Sequence, residues 1–497
     1  MGSLYVLAFP PFNFIIFGFI CIILCTLIFT LAKSFLQICL LSFAFTLGLS
    51  VFGFYWIVYA ANYVLPYEGL SLLILVGFSL LYSIPLLPAA YLINKSKYVG
   101  GKFVFITLIA WSFVELFKQY FMGGLPWYLP AQLWNRSLPI LQSASVVGVL
   151  GLSVLTLWLL LSFLILGAKN RTLFFKIKFI MIPWVLFLIL YIGGLISLVE
   201  MPEDKNTPYI DIRIVQPNIK QNDKQNPEKL LENFKEIIAL TFNGLDYDNP
   251  PKYIILPEVV FNLILEDNPL LFKMLLEKIP KGSYLLIGAL RLEDNKLYNS
   301  LYQISGSSQQ IVKYYDKIRL VPFGEYIPFS EYVPWVSSFV GLYDLRKGDK
   351  QTIFDAEVNE HFLALICFEG IFSNPNISSQ RIQWLLNVSN EAWFNSSIEF
   401  EQNLSLFRFR SIEGGIPSVK VSNTGISAII DNKGKIIYQS SKTTKQVVNL
   451  RLSIKLKNTI NSDIGNKILM SVILTLFLIN LSTVIKKNTK QRVKFEH

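Results

Sequence analysis

The chain has 497 residues, of which 53% are hydrophobic and 16% are charged, and its formal net charge is +11. Together with a mean hydropathy of +0.46, this composition excludes an ordinary water-soluble globular protein and indicates a membrane protein. The positive charge does not indicate nucleic-acid binding, because the sequence has no array of Lys and Arg with interleaved aromatic residues.

Apolar residues are concentrated in the first 200 residues and in one short stretch near the C-terminus. A helix needs about 17–25 mostly apolar residues to cross a bilayer core. We therefore predict seven spans, at residues 12–32, 36–60, 69–93, 102–121, 140–167, 177–199 and 468–485. The chain then divides into a transmembrane helical domain (1–199), a soluble-looking domain (200–466) and a C-terminal span with a basic tail (467–497).

Positive charges alternate between the loops that join the predicted spans. Lys33, the loops at 95–102 and 169–178, and the basic C-terminal tail fall on one side. The positive-inside rule assigns this side to the cytoplasm, so we expect the domain at 200–466 to face the outside. The same count places the N-terminus outside, unless an earlier span is missing or vestigial in this sequence.

Pro126 and Trp127 lie in a loop after the fourth predicted span, Gly123-Gly-Leu-Pro-Trp-Tyr-Leu-Pro130. Gly and Pro end the preceding helix, and Trp and Tyr favour the headgroup level of a membrane. Two interpretations stay open: an aromatic belt at the membrane surface, or a lid or lipid-access loop.

Short apolar runs alternate with amphipathic stretches in the soluble-looking domain, which is typical of a layered α/β domain. Predicted strands cover residues 210–215, 253–256, 284–288, 299–304, 310–314, 384–388, 418–422, 426–430 and 435–438, and a further strand leads to Cys367. Predicted helices cover residues 227–243, 268–278 and 400–413.

Three residues with useful chemistry follow predicted strands: Glu258, Lys317 and Cys367. Each has a purely structural explanation, as a solvated loop acid, a surface charge and a packed core cysteine. Acyl transfer through a thiol would link them, because it needs a nucleophile, a base and a donor for the oxyanion.

Histidine does not fit the role of the base. The sequence has only His361 and His497. His361 lies about 20 Å from Cys367 along an extended strand, and His497 lies beyond the last predicted span. These positions argue against a Cys–His pair and exclude a histidine-rich metal site, which leaves a carboxylate base with a lysine.

Five sequence blocks follow one another across this domain. They are Leu256-Pro-Glu258, Lys317-Ile-Arg-Leu-Val-Pro-Phe-Gly-Glu-Tyr-Ile-Pro328, Ile366-Cys-Phe-Glu369, Asn387-Val-Ser-Asn-Glu-Ala-Trp-Phe394 and Ser422-Asn-Thr-Gly425. These blocks resemble those of the carbon–nitrogen hydrolase (nitrilase) superfamily. With membrane spans on both sides, the chain resembles the membrane branch of that superfamily, the apolipoprotein N-acyltransferases.

The resemblance implies an αββα sandwich of the nitrilase type on the outer face of the membrane. It implies a triad in which Glu258 is the general base, Lys317 stabilises the tetrahedral intermediate and Cys367 is the nucleophile. Further residues match supporting or substrate-binding positions of the family: Glu325, Phe368, Glu369 and Trp393 in the active site, and Pro126 and Trp127 in a substrate loop. No cofactor or metal is implied.

The implied reaction has two steps. A phospholipid, with phosphatidylethanolamine expected, acylates the cysteine as a thioester, and the α-amino group of a diacylglyceryl-cysteine at the N-terminus of an apolipoprotein then accepts the acyl chain. The implied protein is a monomer in the bacterial inner membrane, with its catalytic domain in the periplasm and its C-terminus in the cytoplasm.

The sequence departs from the family pattern at four positions. Phe368 replaces a usual Tyr, Gln225 follows Lys224 where Trp is common, and Asn395 and Asn403 stand where Gly and His are common. Two other classes stay open: a membrane-tethered amidase or nitrilase-type hydrolase, and a non-enzymatic transporter subunit. The loop at 123–134 and the number of spans argue against the hydrolase, and the near absence of charge in the spans argues against the transporter.

Overall fold

The computed structural model describes residues 1–63, 69–96, 100–169, 171–199, 207–327, 344–355, 360–373, 382–459 and 469–483. The described residues form two compact units. The helical unit comprises those within Met1–Tyr55, Leu72–Val199 and Ile460–His497, and the sandwich unit comprises those within Trp56–Ser71 and Glu200–Thr459. Pro328, His497 and the predicted basic tail lie outside the described residues.

Apolar α-helices make up the N-terminal part of the chain. In chain order they are α1 (Gly2–Val6), α2 (Ile15–Leu31), α3 (Phe35–Gly53), α4 (Trp56–Asn62), α5 (Leu70–Ser83), α6 (Leu86–Lys95), α7 (Gly101–Lys118), α8 (Leu138–Leu141), α9 (Ala144–Leu161) and α10 (Leu173–Leu198). Of these, α4 belongs to the sandwich unit.

Within the described residues, three helical stretches are long and apolar enough to cross a membrane. They are α3, α10 and Ala144–Gly167, which begins with α9; α5 and α6 together make a fourth candidate, bent by 47°. The helices at Ile15–Leu31 and Leu469–Thr483 are apolar but shorter. These apolar helices confirm the predicted membrane helical domain. The predicted ends of several spans differ from the helix ends in the structure.

Two of the predicted spans differ from the structure for identifiable reasons. The span predicted at 36–60 ends at Gly53, whose carbonyl oxygen accepts a hydrogen bond of 2.7 Å from the Tyr128 hydroxyl. The span predicted at 69–93 breaks between α5 and α6, at Pro85, because a proline ring clashes with the preceding turn and removes a backbone donor.

The loop with Pro126 and Trp127 is packed inside the helical unit. Only 2% of the Trp127 surface is exposed. Its carbonyl oxygen accepts a hydrogen bond of 3.1 Å from the Lys118 ammonium, which also pairs with Glu115 at 2.7 Å. The interpretation of Trp127 as part of an aromatic belt is therefore wrong, because a belt residue would expose its ring.

Two six-stranded mixed sheets form the sandwich unit. The first has the order β12-β1-β2-β3-β4-β5 and the second has the order β11-β10-β9-β8-β7-β6. The strands of the first sheet are β1 (Tyr209–Gln216), β2 (Tyr253–Ile255), β3 (Tyr284–Glu293), β4 (Lys296–Ser305), β5 (Gln310–Asp316) and β12 (Gln446–Ser453). Those of the second are β6 (Ile353–Asp355), β7 (His361–Ile366), β8 (Trp384–Ser389), β9 (Ser418–Ser422), β10 (Ala428–Ile430) and β11 (Ile436–Gln439).

Helices cover the outer face of each sheet. Shared apolar packing between the sheets includes Ile212, Leu286, Leu386 and Val419, all fully buried. The outer face of the first sheet packs against α12 (Leu230–Phe242) and α13 (Pro269–Leu276), and that of the second against α14 (Glu399–Gly414). This arrangement is the predicted αββα sandwich.

Among the described residues after Glu200, the sequence did not predict two strands and one α-helix. They are β6, β12 and the short helix α11 (Gln221–Gln225). The strand β6 has three residues, β12 is a partly exposed edge strand, and α11 consists entirely of polar residues. The first and last of these elements lack apolar periodicity, whereas β12 alternates apolar and polar residues at Val448, Leu450 and Leu452, a strand pattern that the prediction overlooked.

Strand β3 passes very close to the turn that follows β2, at Gly288. A Cβ atom built on Gly288 would lie 2.6 Å from the Cα atom of Glu258 and from the carbonyl oxygen of Pro257. The Gly288 carbonyl oxygen also accepts a hydrogen bond of 2.9 Å from the Val260 amide. Glycine is therefore required here, because both neighbours are backbone atoms that cannot rotate away.

Replacing this glycine tests the close approach. We expect Gly288→Ala to lower the free energy of unfolding of the sandwich unit by about 1–3 kcal/mol, the usual cost of overpacking. Denaturation of the detergent-purified full chain, followed by tryptophan fluorescence, measures the change. The control is Gly77→Ala in α5, where a Cβ atom meets nothing within 4 Å; equal stability of the two variants would contradict the prediction.

Candidate active site

The topology brings the three predicted chemical residues to one edge of the sandwich. Glu258 follows β2, Lys317 follows β5 and Cys367 follows β7. In the first sheet β2 and β3 are parallel, and two antiparallel pairings make β5 run in the same direction. The carboxyl ends of β2 and β5 therefore lie at the same edge, as is usual for sites in α/β sheets.

Glu258 is 6% exposed, and three donors hold its carboxylate. Its Oε1 atom accepts hydrogen bonds from Asn299 Nδ2 at 2.7 Å and Lys317 Nζ at 3.1 Å, and its Oε2 atom accepts one from the Asn390 amide at 2.7 Å. Burial alone would raise the pKa of Glu258, but Lys317 and these hydrogen bonds lower it overall. The group is therefore ionised at neutral pH and can accept a proton.

Lys317 is shared by two carboxylates. Its ammonium lies 3.1 Å from Glu258 Oε1 and 2.8 Å from Glu325 Oε1, and the side chain is 1% exposed. Burial would lower the pKa of Lys317, whereas Glu258 and Glu325 raise it well above its ordinary value. The lysine is therefore a permanent cation, suited to stabilising an oxyanion and unsuited to accepting a proton.

Cys367 begins a 3₁₀ turn directly after β7, with φ at 52°. This left-handed conformation is unfavourable for a residue with a side chain, and such strain is concentrated at functional sites. The Ser389 hydroxyl lies 3.5 Å from the Cys367 sulfur and donates to it. Burial and the Glu258 carboxylate raise the pKa of the Cys367 thiol. The resting group is thus a neutral thiol that needs a base.

Glu369 fixes the two loops that carry Lys317 and Cys367. Its Oε1 atom accepts hydrogen bonds from the amides of Ile318 at 2.9 Å and Arg319 at 3.0 Å, and its Oε2 atom accepts one from the Ile366 amide at 2.8 Å. The Tyr315 hydroxyl donates to both oxygens. Glu369 therefore links the loop after β5, which carries Lys317, to the turn after β7, which carries Cys367.

The aromatic residues predicted to support the site contact other aromatic rings. The Phe368 ring packs edge-on against Phe372, with centroids 5.0 Å apart, and the Trp393 ring packs edge-on against Tyr63 at 5.8 Å. Pro126 and Trp127 belong to the helical unit, so their predicted role in substrate binding stays a prediction.

Sequence reasoning missed several residues of the site. Asn299 lies in β4 and bridges Glu258 to Glu325 Oε1, the latter at 3.1 Å. Lys224, in α11, is buried and donates a hydrogen bond of 3.4 Å to the carbonyl oxygen of Glu258. Burial lowers the pKa of Lys224 to about 8. Asn299 gave no signal, because β4 also carries the polar residues Ser300 and Gln303. Lys224 stands at the Lys-Trp position of the family pattern, but the sequence did not predict that it lies beside Glu258.

The two sheets are linked at the edge that carries the site. The Asn423 side chain accepts a hydrogen bond of 3.0 Å from the Ile219 amide and donates one of 2.8 Å to the Ile219 carbonyl oxygen. It also donates to Asn390 Oδ1 at 3.0 Å. Two of the sequence blocks therefore have a structural role in holding the loops of both sheets together.

This arrangement combines an ionised carboxylate, a fixed cation and a thiol that lies against the carboxylate. Such a set can transfer a proton from sulfur to Glu258 while the sulfur attacks a carbonyl carbon. Within the described residues, no group of three or more His, Cys, Asp or Glu residues could hold a metal ion.

Two family models match the chain. The apolipoprotein N-acyltransferase N-terminal domain matches residues 1–162, and the carbon-nitrogen hydrolase model matches residues 212–456. Together they cover most of the chain and correspond to its two kinds of architecture.

Curated relatives agree with both matches. The apolipoprotein N-acyltransferase of Rickettsia bellii is 28% identical over 465 residues, which cover 90% of this chain and 90% of the relative. That of Rickettsia prowazekii is 27% identical over 455 residues, covering 88% of each chain. That of Rhodopseudomonas palustris is 29% identical over 395 residues, covering 73% of this chain and 71% of the relative. The chain therefore belongs to the apolipoprotein N-acyltransferase family, and its sandwich unit is a carbon–nitrogen hydrolase domain.

Proposed function

We propose that this bacterial membrane protein transfers an acyl chain from a phospholipid to the α-amino group of the N-terminal diacylglyceryl-cysteine of apolipoproteins, through a thioester on Cys367. The observation that carries the proposal is the contact of Glu258 with both Lys317 and the Cys367 thiol, in a chain of this family. The curated relatives are named for the same activity.

The first step acylates the enzyme. Glu258 accepts the thiol proton while the sulfur of Cys367 attacks the ester carbonyl carbon of the phospholipid. The Lys317 ammonium stabilises the oxyanion of the tetrahedral intermediate. The C–O bond then breaks, and Glu258 returns the proton to the leaving alkoxide. The products are a thioester and a lysophospholipid.

The second step regenerates the thiol. The neutral amine of the acceptor attacks the thioester carbonyl carbon, and Glu258 accepts the proton released from nitrogen. The C–S bond breaks, an amide forms, and the sulfur of Cys367 recovers the proton. The charges of Glu258 and Lys317 are the same before and after the cycle. Every bond and proton in the two steps comes from the substrates or from these side chains, so the proposed reaction uses no cofactor.

We also assign the two substrates and the orientation of the protein in the membrane. The donor is phosphatidylethanolamine, the acceptor is a diacylglyceryl apolipoprotein, and the sandwich unit faces the periplasm in a monomeric protein of the inner membrane. The orientation is supported by the charges of the loops, including Lys33 and Lys95. Pro126 and Trp127 are assigned to the binding of lipid substrates.

Acylation of the enzyme by phospholipid alone tests the mechanism. We expect the detergent-purified protein to gain the mass of one fatty acyl chain, removable by hydroxylamine, because a thioester accumulates without an acceptor. Cys367→Ala should show no gain in intact-mass spectrometry. Cys39→Ala, which removes another partly buried free thiol, should be acylated like the parent. An unmodified parent would contradict the proposal, and release of free fatty acid instead of transfer would favour a hydrolase.

Replacing the proposed base tests its role separately. Glu258→Gln keeps a side chain of the same shape but cannot accept the thiol proton, so we expect acylation to slow by about 10²–10⁴-fold. Single-turnover acylation, followed by mass spectrometry, measures the rate. Glu293→Gln removes a largely exposed carboxylate of the same unit and should leave the rate unchanged. Equal rates for Glu258→Gln and the parent would exclude Glu258 as the base.

A further inference from the structure

A second buried charge cluster lies on the outer face of the second sheet, behind the Cys367 turn. We call it the Lys420 cluster; its members are Lys420, Glu391, Glu399, Asn387 and Asn403. Each is at most 4% exposed, and Lys420 and Glu391 are fully buried. A buried lysine is unfavourable even when it is paired, and a hydrophobic residue of similar size would often be more stable. Its presence therefore indicates a role besides stability.

Lys420 has three polar neighbours that fix its ammonium. Its Nζ atom lies 2.8 Å from Glu391 Oε1, 3.1 Å from Asn403 Oδ1 and 3.3 Å from Asn387 Oδ1. Asn387 and Lys420 are directly paired across β8 and β9. Their side chains therefore project from the same face of the sheet, and Asn403 reaches them from α14.

One branch of the cluster reaches the proposed nucleophile. The Asn387 amide group, oriented by Lys420 through its oxygen, donates hydrogen bonds of 3.1 Å to the Cys367 carbonyl oxygen and 3.3 Å to that of Leu365. Cys367 is the residue with the strained φ of 52°. The hydrogen bond from Asn387 therefore holds the backbone in the conformation that presents the thiol.

The other branch reaches the proposed base. Glu391 pairs with Lys420 through Oε1, and its Oε2 atom accepts a hydrogen bond of 2.9 Å from the Ser422 hydroxyl. The preceding residue, Asn390, donates its backbone amide to Glu258 Oε2 at 2.7 Å. The ion pair therefore anchors the turn that orients Glu258.

We propose that Lys420 is a positioning residue for the reaction: through Asn387 and Glu391 it fixes the turns that carry Cys367 and Asn390. This inference rests on the proposed function for the role of Cys367 as nucleophile. Lys420 lies outside the five sequence blocks, 103 residues after Lys317 in the chain.

The charges around the thiol support a role for this lysine in particular. The charged groups that act electrostatically on the Cys367 thiol are Glu258, Lys317, Lys224 and Lys420. Burial and Glu258 raise the pKa of the thiol, whereas Lys317 and Lys420 lower it. The charge of Lys317 is offset by two carboxylates, Glu258 and Glu325.

Lys420 itself faces two carboxylates, Glu391 and Glu399. Burial and the neighbouring Glu391 raise the pKa of Glu399 well above its ordinary value. Among the described residues of the cluster, Glu391 is the carboxylate in direct contact with the Lys420 ammonium, at 2.8 Å. Removing the ammonium would leave Glu391 buried without its partner.

The pH dependence of thiol alkylation tests this role. Iodoacetamide modification of Cys367 is measured by peptide mass spectrometry on the detergent-purified full chain. We expect the rate profile of Lys420→Met to move to higher pH by about one unit, which makes alkylation about tenfold slower at a fixed pH. The control Lys313→Met removes a lysine paired with Asp355 at 2.7 Å and should give the profile of the parent.

A second variant covers the case in which Lys420→Met does not fold. Lys420→Met with Glu391→Gln removes both charges, and we expect a smaller shift in the same direction. A profile identical to that of the parent, or an equal shift in Lys313→Met, would overturn the inference.

Acyl adducts measured on the same samples separate the two proposals. If the parent forms no adduct with phospholipid, the proposed function fails whatever the alkylation profile shows. If the parent is acylated and the Lys420 variants keep its alkylation profile, only the role of Lys420 fails.

Discussion

The sharing of one buried ammonium between two carboxylates is the interaction on which the site depends. Lys317 contacts Glu258 and Glu325, and all three side chains are at most 14% exposed. Each charge alone would be strongly unfavourable in this environment. The three are tolerated only because β2, β5 and the loop after β5 bring them within hydrogen-bond distance. Loss of Lys317 would leave both carboxylates without a cation, and loss of either carboxylate would leave Lys317 with only the other.

The surrounding polar contacts serve the same geometry. Asn299 bridges the two carboxylates that Lys317 contacts, and Glu369 ties the loop after Lys317 to the turn of Cys367. Burial and the Glu258 carboxylate raise the pKa of the Cys367 thiol and favour its protonated form.

The sequence was sufficient to predict the layers of the sandwich and the positions of Glu258, Lys317 and Cys367 at strand ends. Buried strands such as β2 and β8 carry long apolar runs, and the motif blocks fix which polar residues follow them. The helix α11 consists of polar residues and has no apolar pattern, so the sequence does not predict it. The edge strand β12 is half-exposed and shows only a short alternation at Val448, Leu450 and Leu452, which the prediction overlooked. The sequence predicts Lys420 only as part of a strand, because the burial of its charge depends on how α14 and β8 pack around it in the folded chain.

The pairing of the first and last strands of the sandwich unit has a consequence for how the protein folds. Tyr209 in β1 pairs with Ser453 in β12, and β1 also pairs with β2 in the interior of the first sheet. Contacts between such distant segments close slowly, because a long loop must be ordered first. During synthesis, the first sheet cannot be completed until nearly the whole domain has emerged. We therefore expect truncated chains that end before β12 to expose the edge of β1, where unpaired backbone groups favour aggregation.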